Sequence, residues 1–207
     1  MKSIIIIPSR LASTRLPNKP LIDIGGKPMI VRVLESARRS NIQDIVIATP
    51  DIEIAEVVKK AGGEYVLTSD HHHSGTDRIM EALRKLDPFR NIETVINLQG
   101  DLPFISPECI NSLETIIKIN GVDIGTLISY LSENNKDDPN IVKVAINFKD
   151  EEKVGKAVYF SREPIPWNSL QYYQHIGIYV YKRETIERFC LSPPGVIERV
   201  EKLEQLR

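Results

Sequence analysis

The chain has 207 residues, 42% of them apolar and 27% charged, which suits one soluble domain that buries about 70% of its unfolded surface without needing a disulfide or a metal. Its 27 basic and 28 acidic residues leave a net charge of -1, which excludes the broad positive field of a general nucleic-acid or anionic-membrane binder and makes any anion site a local one. Cys109 and Cys190 lie far apart and outside any CxxC spacing, so neither a zinc site nor a disulfide framework is expected. The opening apolar run stops at Pro8, too short for a secretory signal, and no segment approaches the ~18 apolar residues of a membrane span. A cytoplasmic protein in a reducing compartment is expected.

Residues 4–7 (IIII) form a continuous apolar run ended by Pro8, the pattern of a central strand of a parallel sheet, buried on both faces. Pro28 opens a helix whose apolar positions are Ile30, Val33, Leu34 and Ala37, with Asn41 as its stop. The alternation continues with a strand at 45–48, a helix carrying Ile54, Val57, Val58 and Ala61 that ends at Gly62 and Gly63, and a strand at 65–67. A helix with Ile79, Leu83 and Leu86 follows, then a strand at 94–98 and a helix capped by Ser106, begun by Pro107 and ended by Gly121. Strand and helix in strict turn predict a parallel α/β sheet.

Beyond Ile124 the rhythm changes: strands at 142–148, 157–160 and 176–181 have hardly any helix between them, which predicts an antiparallel half. Residues 132–140 (SENNKDDPN) read as a polar loop. Helical patterns return at 184–190 and at 196–206, the last running to Arg207 without a stop signal, so the natural chain is expected to continue.

Ligands of open α/β sheets bind beyond the carboxyl ends of the strands. After the first strand, residues 9–20 (SRLASTRLPNKP) carry Arg10, Arg15 and Lys19 with Ser9, Ser13 and Thr14. Arginine forks and a lysine point charge match polyphosphate oxygens, although such a segment is also compatible with a solvated basic loop. Neither GxGxxG nor GxxxxGK[ST] occurs, so a dinucleotide fingerprint and a P-loop are unsupported. The Gly25-Gly26 pair reads as a turn. Asp101, in NLQGD just past another buried strand, is the best metal candidate, because Mg²⁺ bound with a nucleotide takes one or two carboxylates plus phosphate oxygens; a capping Gly-Asp turn is the alternative. The His71-His72-His73 triplet lacks further His or Cys to complete a zinc site. In Ser74-Gly75-Thr76-Asp77-Arg78, a hydroxyl and free backbone donors open a helix, suited to a phosphate or ribose and equally to ordinary capping.

Seven ordered segments resemble the 3-deoxy-manno-octulosonate cytidylyltransferases, or CMP-Kdo synthetases. They are IIPSRLASTRLPNKPL at 6–21, GKPMIVRV at 26–33, HHSGTDR at 72–78, NLQGD at 97–101, YFSREPIPW at 159–167, HIGIY at 175–179 and EKLEQLR at 201–207. The resemblance implies a Rossmann-like, GT-A-like nucleotidyltransferase fold: a mostly parallel sheet with a smaller antiparallel lobe. It makes 1–207 a single nucleotidyltransferase domain, with 1–123 binding the nucleotide and 124–207, expected to be incomplete at its C-terminus, serving acceptor and dimerisation. It implies CMP transfer from CTP to the anomeric hydroxyl of an acidic eight-carbon sugar, Kdo, with release of pyrophosphate, for lipopolysaccharide biosynthesis. By this likeness Arg10, Ser13, Arg15, Lys19, Ser74, Thr76 and Arg78 are on the nucleotide side, and Arg10, Lys19 and Asp101 are catalytic, with Asp101 binding Mg²⁺. Gln99, Arg162, His175, Tyr179, Glu204 and Gln205 fall to the sugar, Arg162 pairing with its carboxylate. A homodimer is implied, with no nucleic-acid or membrane partner.

Two features depart from the family pattern. Leu102 stands where a second acidic residue usually follows QGD, and the connection from Trp167 to His175 is short. Family members continue past EQLR with a second metal-binding aspartate and a further strand. CMP transfer to a sialic or other nonulosonic acid, and a non-catalytic nucleotide-binding relative, are the competing readings.

Overall fold

Strand β1 (Ser3–Pro8) is buried from Ile4 onward because both of its faces are covered, as a run without polar alternation requires. The computed structural model describes residues 1–12, 16–72, 74–148 and 153–207. These residues form two compact units, Met1–Gly125 with Ile178–Cys190, and Thr126–Gly177 with Leu191–Arg207. The second part expected from 124 onward is therefore interrupted: residues 178–190 group with the first unit.

In the first unit β1 is followed by helix α1 (Met29–Arg38), strand β2 (Ile45–Thr49), helix α2 (Ile52–Lys60), strand β3 (Glu64–Leu67), helix α3 (Gly75–Leu86), strand β4 (Thr94–Leu98) and helix α4 (Pro107–Ile116). β1 pairs in parallel with β2 on one side and β4 on the other, and β2 pairs in parallel with β3. The end of strand β8 (Tyr172–Lys182) runs antiparallel to β4, with Tyr179 opposite Asn97 and Ile178 opposite Leu98. Helix α5 (Arg183–Leu191) follows β8. Ile4 and Ile6 of β1, Val46 and Ala48 of β2, Ile79 and Leu83 of α3 and Ile186 of α5 share one core cluster. By the two-residue period of a strand, Ile5 and Ile7, both fully buried, belong to the other face.

Most of these elements match the sequence reading, with local differences. Pro28 is the N-cap of α1, one place outside the helix. α4 keeps its Ser106 cap and its Pro107 start but ends at Ile116, five residues before Gly121, which is a turn residue at φ +82°. Gly25 and Gly26, at φ +61° and +83°, form the expected turn, fixed by Gly26 N donating to Asp23 Oδ1 at 2.9 Å.

The second unit contains most of strand β5 (Ile124–Leu131), then strand β6 (Lys143–Phe148), strand β7 (Gly155–Ser161), the first half of β8 and helix α6 (Val196–Glu201). β6 is antiparallel to both β7 and β8. The strand β5 was not expected from the sequence, because IGTLISYL is half-buried along most of its length and lacks clean alternation. The expected helix running to Arg207 is also corrected: α6 stops at Glu201, Lys202 turns left-handed at φ 56°, and residues 204–206 form a separate 3-10 turn. Residues 132–140 are mostly non-regular as expected, with a 3-10 turn at Glu133–Asn135.

Candidate active site

The carboxyl ends of β1 and β4 and the start of α3 meet around Pro8. A Cβ placed on Gly100 would lie 3.0 Å from the Pro8 carbonyl oxygen, and one on Gly75 would lie 3.3 Å from Pro8 Cγ. Both positions need a residue without a side chain so that the two loops can close on the end of the central strand. The next residue, Ser9, is 6% exposed, and its Oγ has no hydrogen-bond partner among the described residues. A buried hydroxyl in that state carries an uncompensated desolvation cost.

The cationic segment leaves this point under restraint. Leu11 N donates to Asp51 Oδ2 at 2.7 Å, and Asn18 N donates to the Leu11 carbonyl at 3.3 Å, drawing the two ends of the segment together. Asp51 is the N-cap residue of α2, but its carboxylate serves the neighbouring loop and makes no side-chain capping bond in its own helix. Asn18 is left-handed at φ 56° and leads into the 3-10 turn that carries Lys19. Lys19 Nζ lies 2.7 Å from Asp101 Oδ2, the two side chains being 36% and 49% exposed. Two of the three residues named as catalytic from sequence are thus in direct contact. The third, Arg10, is exposed. Ser13 and Arg15 lie outside the described residues.

Arg78 is 2% exposed, and its Nη1 donates to Thr68 Oγ1 at 2.6 Å and to the Ser69 carbonyl at 2.9 Å. Burial, and then the charge of Arg10, push its pKa down from the usual arginine range. The two guanidinium groups therefore repel each other, and an anion between or beside them relieves that repulsion. Arg78 also holds the loop that enters α3. Ser74 caps that helix, accepting from Asp77 N at 3.1 Å, and Thr76 is buried. Glu81 fastens the same loop: it accepts from Ser69 N at 2.9 Å, meets His72 Nε2 and pairs with Lys85 Nζ at 2.6 Å. Burial pushes the Glu81 carboxyl up, but the bonds from Lys85, Ser69 N and His72 outweigh it and hold the pKa at about 2.

His72 thus has a structural partner, His71 is an exposed neighbour of Asp70 at 3.5 Å, and His73 lies outside the described residues. No group of three metal-ligating side chains occurs among the described residues. Asp101, half exposed beside Lys19, offers the single carboxylate that Mg²⁺ uses when a polyphosphate and water complete its shell. These residues fit a metal held jointly with a nucleotide and do not fit an all-protein cage.

The six residues assigned to the sugar divide between the units. Gln99 and Tyr179 are in the first, where Gln99 Nε2 donates to Asn97 Oδ1 at 2.8 Å and Tyr179 lies across the ladder from Asn97. Arg162, His175, Glu204 and Gln205 are in the second. Arg162 Nε donates to the Glu201 carbonyl at 3.0 Å and Nη1 to the Pro139 carbonyl at 2.8 Å. His175 Nε2 is 2.9 Å from Thr126 Oγ1, and Phe160 meets its ring edge-on at 5.3 Å. Burial pushes its pKa down to about 4, so the ring is neutral at physiological pH, suited to hydrogen bonding and poorly suited to general base work. Glu204 Oε1 and Gln205 sit in the final turn, with Arg207 Nη2 3.9 Å from Glu204.

Sequence reasoning missed Asp51, Asn97 and Glu201, and took Ser9 only as one of the hydroxyls of the cationic segment. Asp51 follows a buried strand just as Asp101 does, so the strand-end rule could have found it. Nothing in the sequence distinguishes Asn97 and Glu201 from ordinary polar residues.

A profile of the family described as cytidylyltransferase matches residues 4–207. The 3-deoxy-manno-octulosonate cytidylyltransferase of Rhodopseudomonas palustris strain BisB5 is 48% identical over 206 residues, covering 99% of this chain and 84% of the relative. The protein of the same description from Paramagnetospirillum magneticum is 42% identical over 205 residues, covering 99% and 83%. Among solved structures, CMP:2-keto-3-deoxy-manno-octonic acid synthetase complexed with CTP matches with a TM-score of 0.90 and 36% identity over 100% of this chain and 84% of that one. A cytidylyltransferase from Leptospira borgpetersenii matches with a TM-score of 0.60 at 19% identity over 99% and 71%, a likeness of fold alone.

Proposed function

The chain belongs to the cytidylyltransferase family, and on that premise we propose that it transfers CMP from CTP to 3-deoxy-D-manno-octulosonate, releasing pyrophosphate and supplying the activated sugar for lipopolysaccharide assembly. The observation that carries this reading is the likeness, over the whole of this chain, to a CMP-Kdo synthetase complexed with CTP. The geometry at the carboxyl ends of β1 and β4 supports it: Lys19 meets Asp101, the charges of Arg10 and Arg78 act on each other, and the buried Ser9 hydroxyl has no partner among the described residues.

In the reaction the anomeric hydroxyl of the acceptor attacks the α-phosphorus of CTP, and its proton passes to solvent. One P–O bond forms as the bond to the bridging oxygen breaks, and pyrophosphate leaves with the bonding pair. Lys19 exchanges Asp101 Oδ2 for a phosphate oxygen, and Arg10 meets the same charge, with Ser13 and Arg15 assigned beside them from sequence. Ser74 orders the start of α3, whose first backbone N–H groups, with Thr76, face the nucleotide side. Asp101 would hold Mg²⁺, which supplies charge neutralisation on the triphosphate and lowers the pKa of a bound hydroxyl. On the acceptor side Arg162 is assigned to the sugar carboxylate, and Gln99 and Tyr179, like the neutral His175, Glu204 and Gln205, are assigned to its hydroxyls from the family likeness alone.

The reading includes a homodimer and a cytoplasmic location. Val158, Val196 and Val200 of the second unit are 66%, 69% and 76% exposed, apolar surface of the kind a subunit contact covers. Cys109 and Cys190 form no disulfide among the described residues, and no helix among them is long and apolar enough to cross a membrane.

The test is pyrophosphate release from CTP and Mg²⁺ with Kdo, with N-acetylneuraminate and with no acceptor. Release with Kdo alone is expected. Preference for the sialic acid would replace the acceptor, and CTP binding without turnover would make the chain a nucleotide-binding relative.

A further inference from the structure

The Glu201 carboxylate, at the last position of α6, gathers three donors from β7 and the residue after it. Oε1 accepts from Ser161 Oγ at 2.8 Å and from Tyr159 OH at 3.3 Å, and Oε2 accepts from Arg162 N at 3.1 Å. The carbonyl of the same residue accepts from Arg162 Nε at 3.0 Å. Glu201 therefore holds Arg162 twice, at its backbone and at its guanidinium. The carboxyl is partly buried, which raises its pKa, but the bonds from Ser161, Arg162 N and Tyr159 outweigh this and leave it below the ordinary value.

A second restraint acts on the other side of the guanidinium. Arg162 Nη1 donates to the Pro139 carbonyl at 2.8 Å. Pro139 lies in a turn whose flanking carbonyls, of Asp138 and Ile141, accept from Lys143 Nζ at 2.9 and 2.7 Å. Lys143 has no exposed surface and rises from the start of β6, so the turn is anchored from inside the unit. Arg162 is thus set between two fixed carbonyl oxygens. With Nε and Nη1 spent in this way, Nη2 makes no hydrogen bond among the described residues. A planar guanidinium fixed at two nitrogens presents its third in one direction, which removes the rotamer entropy a flexible arginine loses on binding an anion.

We propose that Glu201 is a positioning residue for the acceptor: by holding Arg162 at its backbone N–H and, through its own carbonyl, at Nε, it presets the guanidinium that receives the sugar carboxylate. The proposal rests on the reading of Arg162 given above and extends it to a residue that makes its contribution without touching substrate. Loss of the carboxylate frees β7 from the end of α6, lets Arg162 turn away from Nη2-out geometry, and weakens the acceptor without affecting the nucleotide.

The experiment is a double-mutant cycle in the full chain with Glu201→Ala and Arg162→Ala, measuring KM for Kdo, KM for CTP and kcat, with circular dichroism and Tm on each form. Glu201→Ala is expected to raise KM for Kdo by roughly tenfold and to leave KM for CTP within about twofold. In the Arg162→Ala background, Glu201→Ala adds almost nothing, because two residues that act as a unit are not additive. If Glu201→Ala does not fold, Glu201→Gln serves in the same cycle: the Ser161 and Tyr159 hydroxyls can reverse to accept from its amide while its oxygen faces Arg162 N, and a severalfold rise in KM for Kdo that vanishes in the Arg162→Ala background is expected. Independent, additive effects of the two substitutions, or equal effects on both substrates, would overturn the positioning role while leaving Arg162 in place. No change in KM for Kdo in Arg162→Ala itself would overturn both the role of Arg162 and the proposal built on it.

Discussion

Replacing Lys19 by alanine separates two effects of different size. Its ammonium is 2.7 Å from Asp101 Oδ2, but the side chains are 36% and 49% exposed. A pair this open to water contributes at most about 1 kcal/mol to folding, and a chain of this length loses roughly 2 to 4 °C in Tm per kcal/mol. Stability should therefore fall by no more than ~4 °C, and by less in high salt. A charged hydrogen bond to phosphate is larger, about 1.5 to 3 kcal/mol, so kcat/KM for CTP should drop roughly ten- to a hundredfold. Asp101→Asn keeps the shape and an acceptor for Lys19 while removing the charge, so its Tm should also hold while Mg²⁺-dependent turnover falls by roughly two orders of magnitude or more. Differential scanning calorimetry and a continuous pyrophosphate assay at varied CTP measure both quantities on the same samples. Unchanged CTP kinetics in both variants would remove the pair from the reaction, and a Tm loss above ~10 °C would make it a structural bridge.

Three further outcomes follow from buried groups. Asp87 and Arg183, 6% exposed each, form an ion pair in which the carboxylate also accepts from Ile92 N at 2.7 Å and Asn91 N at 2.9 Å; Asp87→Ala should cost about 3 to 5 kcal/mol in urea unfolding, against a much smaller loss for Arg90→Ala, which breaks the open pair with Glu187, and equal losses would refute the distinction. Burial raises the Asp87 pKa, but the bonds from Ile92, Asn91 and Arg183 outweigh it and hold it at about 2, below the ordinary 3.8 of an aspartate; its stabilisation is complete above 3.8 and is lost as pH falls through 2, so Asp87→Asn should flatten that acid limb. His175, lowered by burial from 6.5 to about 4, takes up its proton more readily unfolded, so its contribution to stability is whole above pH 6.5 and declines toward pH 4; His175→Gln should remove that slope, and an unchanged profile would contradict its burial. Gly100→Ala places a methyl 3.0 Å from the Pro8 carbonyl, which should displace the Asp101 loop and lower turnover at least tenfold for a stability loss of about 1 to 3 kcal/mol; full activity would show that the loop can give way freely.

The parallel half was legible because its signals are local. A four-residue isoleucine run, serine caps at 74 and 106, and the glycine at 62 each act within one element or turn, whereas Gly121 marks a turn five residues past the end of α4. β5 was not, since its residues show no alternation of their own and the strand is defined by pairing with β8. The false continuation of α6 has a similar cause: Leu203 and Leu206 keep a helical spacing, but Leu203 is 5% exposed, buried beyond a left-handed Lys202 that ends the helix. Among site residues, the contact between Lys19 and Asp101 was inferable from the strand-end rule. The double hold on Arg162 was not, because it depends on two backbone carbonyls, at Pro139 and Glu201, that no side-chain pattern announces.

On the proposed reading, Arg78 gives the anion site a component that solvent ions cannot reach. Arg10 is exposed and Lys19 is 36% exposed, so mobile counter-ions screen both over a Debye length of about 8 Å at physiological ionic strength. Arg78, sealed at 2% exposure and still cationic at any biological pH, projects its charge through protein where no counter-ion enters. Raising the salt concentration therefore strips away the attraction of the outer pair and leaves a floor set by the inner one. A protein whose overall charge is close to zero can in this way keep a locally positive surface at physiological salt, attracting a polyanion at short range while the rest of its surface stays near neutral.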